Sequence, residues 1–287
     1  MIISLKTTLR KIFPPGLRLW VKKTKRHCKQ LILRTPYQSI EDIEQILRQL
    51  GIHQGDRLIV ASSYGNLKAD YAPIDLVRLL QRMVGEQGII MMPYYPPMNS
   101  TEWAQKGLVF DMNATKSGMG VLTNVFAKMP GVLMSKHPTK AICVWGNGAE
   151  EIVKDHEKST TPFYWDSPYG KILRLGCKSL GLGLKNIPIF HTFEDVLSQS
   201  PDAYYQKEKY QLHLIDKQGV DDVVETYVHD PAIIDRCKPA GDYVRDLKCK
   251  SYKRIDVGSA FVYIIDNTDL FDRCKVEFAH GNSRLGS

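Results

Sequence analysis

The sequence predicts an α/β fold: a parallel or mixed sheet covered by helices and followed by an α+β segment. Three observations lead there. Asp56–Ala61 and Gly88–Pro93 are apolar runs of strand length, and the helix-period stretch Pro73–Val84 joins them into a βαβ unit. Between Tyr204 and Val228 the pattern turns to strand-like alternation around Asp216-Lys217-Gln218-Gly219, a hairpin signal. Hydrophobic residues make up 43% of the 287 and charged residues 24%, which excludes disorder along the whole chain.

The elements follow in order. Ser39-Ile40-Glu41-Asp42 has the form of a capping box, and Ile43, Ile46, Leu47 and Leu50 recur at helical spacing until Gly51 stops the helix. Asp56–Ala61 is a buried strand that runs into the loop Ser62-Ser63-Tyr64-Gly65. Pro73 opens the next helix where its missing N–H is harmless, and Gly85 closes it. After the Gly88–Pro93 strand, a helix is expected over Thr115–Lys128 and a strand over Ala141–Trp145. Ser167 caps a helix with Pro168 in its first position. Lys178–Leu184 reads as a strand and His191–Ser200 as a short helix. A helix from about Pro231, a strand over Ala260–Ile265 and a helix after Asp266 complete the chain, and no internal repeat is visible.

The charge is unevenly placed. Thirty-nine Lys and Arg oppose 31 Asp and Glu, a net of +8. Residues 1–38 hold ten of the basic residues and none of the acidic ones, so the remaining 249 carry 29 against 31, or −2. The segment 1–38 is therefore a basic, amphipathic N-terminal arm. It suits a peripheral anchor on an anionic membrane surface, each Lys or Arg contributing about 1 kcal/mol there. It equally suits a helix packed on the body with a solvated basic face. Nucleic-acid binding is not expected, because the body adds no aromatic-plus-basic stripe. The arm lacks the clean apolar run and cleavage site of a secretory signal, and no stretch reaches the roughly 18 apolar residues of a membrane span. Six scattered cysteines without a C-x-x-C pair read as reduced thiols, so a cytoplasmic protein is expected, with the arm able to hold it at the inner membrane face.

Chemistry-bearing motifs are few. There is no G-x-G-x-x-G opening a helix, no Walker A loop, no H-E-x-x-H and no G-x-S-x-G elbow. Gly181-Leu182-Gly183 lacks the third glycine of a dinucleotide site, and no metal is expected. Cys143 and Cys177 lie on or beside apolar strands and read as buried thiols. His191-Thr192-Phe193-Glu194 opens a helix after a strand and loop, and positions i and i+3 share a helix face. A carboxylate so placed can orient an imidazole and favour the imidazolium formed on accepting a proton. The same four residues also suit an ordinary first helical turn.

Taken in order, these pieces resemble the aminoglycoside 3-N-acetyltransferase family. The resemblance is carried by Ala61-Ser62-Ser63-Tyr64, by Gly85 to Pro93 and by Phe110-Asp111. It continues through Thr115-x-Ser117-x-Met119-Gly120, Pro130-Gly131-Val132, Ser135-Lys136-His137-Pro138 and Gly146 to Ala149. It closes with Ser167-Pro168, His191 to Glu194 and a late Val257–Ala260 strand, and covers about residues 39–279. Three positions depart from the family pattern: Pro188 stands where a Thr precedes the histidine, Ala61 where a His precedes the loop serines, and Met134 where an Arg precedes Ser-x-His-Pro.

The resemblance implies a three-layer α/β/α sheet intertwined with a smaller α+β lobe. The body would be one acetyltransferase-like domain over 39–287, its late α+β segment about 201–287. The expected activity is CoA-dependent N-acyl transfer, with acetyl-CoA or another acyl-CoA as co-substrate and the amine of an amino sugar as acceptor. His191 is the implied general base and Glu194 its holder. Ser62, Ser63, Thr115, Ser117, Met119, Gly120 and His137 would line the CoA channel, with the Ser62–Ser63 loop offering donors to an oxyanion. The near-neutral body turns the acceptor expectation toward a nucleotide- or lipid-linked amino sugar of a surface polysaccharide, with an aminoglycoside as the other candidate. A non-catalytic relative, brought by the arm to a membrane or polysaccharide-assembly complex, is the alternative.

Overall fold

Strands buried on both faces have no reason to alternate polar and apolar residues, and the unbroken apolar runs of the sequence are such strands. In the computed structural model the structure describes residues 38–285. The basic arm read from the sequence lies outside these residues, apart from Gln38.

Helix α1 (Ile40–Gln49) starts at the expected capping box: Asp42 N–H donates to Ser39 Oγ at 3.1 Å and Ser39 N–H to Asp42 Oδ2 at 2.9 Å. Strand β1 (Arg57–Ser62), helix α2 (Pro73–Val84) and strand β2 (Ile89–Pro93) form the predicted βαβ unit, β1 and β2 pairing in parallel. Helix α3 (Ser100–Gln105) and the two-residue strand β3 (Phe110–Asp111) follow. Helix α4 is only Val121–Phe126, shorter than the expected Thr115–Lys128. The reason is local. The Asn124 side chain accepts from Ser117 N–H at 2.9 Å and donates to Ser117 O and Gly120 O at 2.8 Å, holding residues 117–120 as a loop.

Strand β5 (Ile142–Gly146) adds antiparallel to β2, and β4 (Leu133–Met134) adds antiparallel to β5. Helix α5 (Ala149–Val153) leads to helix α6 (Pro168–Arg174), capped by Ser167 as expected. Strand β6 (Lys178–Leu182) pairs parallel with β1 on its other side, and helix α7 (Phe190–Leu197) follows. The hairpin β7 (Tyr210–Ile215) and β8 (Asp221–Thr226) turns at Asp216–Gly219 as predicted. Helices α8 (Pro231–Ile234) and α9 (Ala240–Leu247), strands β9 (Lys253–Val257) and β10 (Ala260–Asp266), and helix α10 (Asn267–Ala279) complete the elements. The expected Val257–Ala260 strand is the turn between β9 and β10.

The main sheet has the order β4-β5-β2-β1-β6-β10-β9, with β1 between two parallel neighbours and the outer strands antiparallel. Alternate strand residues feed two cores. Leu58, Val60, Ile90 and Met92 pack with α1 and α2, while Ile59, Ile89 and Met91 pack with α6, α7, α9 and α10. This is a three-layer α/β/α arrangement. A second sheet, β3-β7-β8, takes its first strand from early in the chain, and β9 and β10 return to the main sheet. The late segment is thereby interwoven with the rest.

Gly181 and Gly183 have structural reasons that involve no nucleotide. A Cβ on Gly181 would fall 1.8 Å from Tyr263 Cε1, the residue opposite it on β10. Gly183 has φ +73°, and its carbonyl accepts from Asn66 Nδ2 at 2.7 Å as the chain leaves β6. Gly181→Ala must push the buried Tyr263 ring and should cost about 1–3 kcal/mol. At this chain length that lowers Tm by roughly 2–12 °C, measurable by calorimetry, and an unchanged Tm would contradict the packing.

Candidate active site

The site forms where the parallel strands end. Ser62 closes β1, Pro93 closes β2, and the chain leaving β6 at Leu182 turns toward α7. These carboxyl ends border a cleft of about 630 Å³. Open α/β sheets place ligands at such ends, because there the connecting loops diverge. The cleft wall includes Ser62, Ser63, Met119, Gly120, Pro188 and His191, and Arg284 from the segment after α10.

His191 and Glu194 do meet. His191 Nδ1 lies 3.0 Å from Glu194 Oε2, within one helical turn of α7. With a carboxylate at Nδ1, that nitrogen carries the proton and Nε2 keeps the lone pair. Rings pack against the imidazole, Phe163 at 4.9 Å and His229 at 4.6 Å between centroids. Burial lowers the His191 pKa. Glu194 opposes that effect, and the Arg284 and Lys140 cations reinforce it. The balance favours the neutral imidazole.

Glu194 has no solvent exposure, and its charge is answered by Arg284. Arg284 Nε donates to Oε1 at 2.7 Å and a terminal nitrogen to Oε2 at 2.8 Å, a two-pronged contact. Sequence reasoning missed Arg284. It lies 90 residues from Glu194, and no local motif announces it. The next carboxyl, Asp195, meets burial differently. Thr161 Oγ1 and Tyr205 OH both donate to its Oδ2, and burial, against those two hydrogen bonds, raises its pKa well above the ordinary range.

The remaining sequence candidates divide. Ser62, Ser63, Met119 and Gly120 line the cleft. Ser62 Oγ is buried with no hydrogen-bond partner, whereas Ser63 N–H is spent on Leu182 O at 2.8 Å. The Ser62 hydroxyl is thereby left as a donor. Thr115, Ser117 and His137 are not among the lining residues. Thr115 Oγ1 accepts from Asp111 N–H at 3.0 Å, and Ser117 Oγ bridges Tyr95 O and Met119 N–H. His137 is buried, its Nδ1 accepting from the Thr139 and Lys140 amides while Nε2 bonds Thr226 Oγ1 at 3.1 Å. Its role is to tie the β4–β5 turn to β8.

Lys140 is half-buried, with Nζ 4.7 Å over the Tyr95 ring, and burial lowers its pKa to about 8 with no described carboxylate to oppose it. No described residue lining the cleft is Asp or Glu. The lining cations are Arg284, bound to Glu194, and Lys185, 3.2 Å from Asp242. Cys143, Cys177 and Cys274 are buried free thiols. Among the described residues no cluster of three or more His, Cys, Asp or Glu could hold a metal ion, and no helix is long and apolar enough to cross a membrane.

Comparison with known proteins bears on this site. The family described as aminoglycoside 3-N-acetyltransferase matches residues 59–278. Aminoglycoside N(3)-acetyltransferase VII of Streptomyces paromomycinus is 25% identical over 174 residues, which is 54% of this chain and 59% of that protein. The chain spans about half the length of the curated relatives it matches. Among solved structures, a sisomicin-bound AAC-VIa superposes with a TM-score of 0.70 at 22% identity, covering 86% of this chain and all of that one. A binary complex of AAC-IIIb with CoASH gives 0.68 at 19%, covering 88% and all of its chain. At such identities the likeness speaks for the fold.

The buried histidines set an acid limit on stability. His137, His156, His191 and His229 all have pKa values lowered by burial, His156 from 6.5 to about 3. The unfolded chain takes up these protons first. The stability they contribute is therefore complete above pH 6.5 and drains away as pH falls toward the folded pKa values. Each histidine still neutral in the fold costs about 1.4 kcal/mol per pH unit below 6.5. Asp195, its pKa raised, opposes with a single group. Tm should therefore fall steadily between pH 6.5 and 4.5; a flat Tm across that window contradicts the neutral-histidine assignment.

Proposed function

Because the chain belongs to the aminoglycoside 3-N-acetyltransferase family, we propose that it is an acyl-CoA-dependent N-acyltransferase in which His191 is the general base and Glu194 fixes its tautomer. The observation that carries this reading is the 3.0 Å Nδ1–Oε2 contact, which leaves Nε2 as a proton acceptor in a side chain lining the cleft. An aliphatic ammonium must shed a proton before its nitrogen can attack a thioester carbon, and a neutral imidazole can accept a proton from that nitrogen. The co-substrate supplies that thioester. Two protons leave the nitrogen as the ammonium becomes an amide: one passes to solvent, and Nε2 takes the other and returns it to the departing thiolate as the C–S bond breaks. The unpartnered Ser62 hydroxyl donates to the carbonyl oxygen as it gains charge. Ser62, Ser63, Met119 and Gly120 would flank the CoA arm, and a wall without carboxylates suits its phosphates.

The acceptor in this reading is an amino sugar whose remainder is neutral or anionic, such as a nucleotide- or lipid-linked one. Two features support it over a polycationic aminoglycoside. No described lining residue is acidic, and Lys140 adds a cation that lowers the His191 pKa. Residues 1–38, with ten basic and no acidic residues, would hold the enzyme at an anionic surface.

Thiol release from acetyl-CoA against a panel of aminoglycosides and amino-sugar nucleotides tests the reading. Turnover confined to amino-sugar nucleotides is expected, and turnover with an aminoglycoside alone would overturn the acceptor assignment. His191→Ala should retain CoA binding and lose about 10²–10⁴-fold in kcat. CoA binding without turnover by the unaltered protein on any acceptor would favour a non-catalytic relative. Removal of residues 1–36 should weaken binding to vesicles containing anionic lipid; unchanged binding would remove the membrane role.

A further inference from the structure

We propose that Arg284 is a positioning residue of the site, holding the Glu194 carboxylate in register so that His191 is correctly oriented as a base. This rests on the general-base reading of His191. It extends that reading to a residue beyond the family match, which ends at residue 278.

The geometry is specific. Arg284 uses Nε and one terminal nitrogen on the two Glu194 oxygens, at 2.7 and 2.8 Å, and the other terminal nitrogen on Lys238 O at 3.1 Å. The backbone closes the same contact in reverse, Lys238 N–H donating to Arg284 O at 2.8 Å. The guanidinium also lies 5.3 Å over the Phe190 ring, at the start of the helix that carries His191. All three guanidinium nitrogens thus bond protein partners, two of them Glu194. Arginine fits this role because its planar fork matches both carboxylate oxygens at once, which an ammonium cannot do.

The consequence for His191 follows from charge. The groups facing it are Glu194 on its own helix, Lys140 before β5, His229 after β8 and Arg284 after α10, with Asp195 beside Glu194 pushed upward by burial. Glu194 favours the imidazolium, and the Arg284 cation acts against it. Without the cation the balance shifts toward the imidazolium. Glu194 Oε2 serves both Arg284 and His191 Nδ1, so freeing it also loosens the imidazole.

Arg284→Gln and Arg284→Lys test this in the full-length protein. The readouts are the His191 imidazole titration by nitrogen-15 NMR without substrate, assigned with His191→Asn, and kcat and KM for acyl-CoA. For Arg284→Gln the midpoint should rise by about half a pH unit or more. Its kcat should fall about 10–100-fold while KM changes less than about twofold. Arg284→Lys should return the midpoint toward that of the unaltered protein and recover only part of kcat. A midpoint that stays put or falls, or a kcat left intact, overturns the proposal. If Arg284→Gln does not fold, Arg284→Lys decides alone: reduced kcat with a near-unchanged midpoint supports the fork, and full kcat overturns it. Retained turnover in His191→Asn would remove the general-base reading, while the titration would still judge the pairing of Arg284 with Glu194.

Discussion

A carboxylate with no access to water has to find its counter-charge inside the protein, and Glu194 is such a group. Its desolvation costs several kcal/mol, recovered only with close partners of good geometry. Arg284 supplies two donors and His191 a third. These demands fix helix α7, the segment around Arg284 and the cleft wall relative to one another. Asp195, one residue on, is buried without a described cation beside it: Thr161 and Tyr205 donate to its Oδ2, and burial raises its pKa.

The sheet gives this pair its setting. β1 lies between two parallel neighbours, so the loops leaving β1, β2 and β6 all emerge at one edge. Ser62, Pro93 and the turn after Leu182 share that edge, and α7 begins just beyond it. Gly183 lets the chain turn there with a positive φ, receiving Asn66 from the β1 side. The antiparallel outer strands close the sheet to either side and leave the crevice over its centre.

Much of this was legible in the residues. The Ser39 capping box, Pro73 and Pro168 at helix starts and the Asp216–Gly219 hairpin are local chemistry, and each occurs as read. The His191–Glu194 contact follows from helical spacing alone. What the sequence hid was long-range or too short to have a period. β3 is two residues long and recognisable only by its pairing with β7. The helix expected from Thr115 was cut back by Asn124, a side chain folding onto the loop before it. His137, which the resemblance placed along the CoA channel, has its ring engaged by two backbone amides and Thr226 and is not among the residues lining the cleft. Arg284 lacked any signal, because a guanidinium in an otherwise polar stretch says nothing about a carboxylate 90 positions away.

That separation has a consequence during synthesis. At roughly 5–20 residues per second, Arg284 is made on the order of 5–20 s after Glu194. Through that interval the sheet strands β1, β2 and β6 already exist as chain, but the carboxylate that must be buried beside them has no cation. Closing α7 over it would cost more than leaving it open to water. The nascent molecule therefore has a reason to keep this wall undocked until Arg284 has left the ribosome. The ion pair behind the cleft wall can thus close only once Arg284 is available.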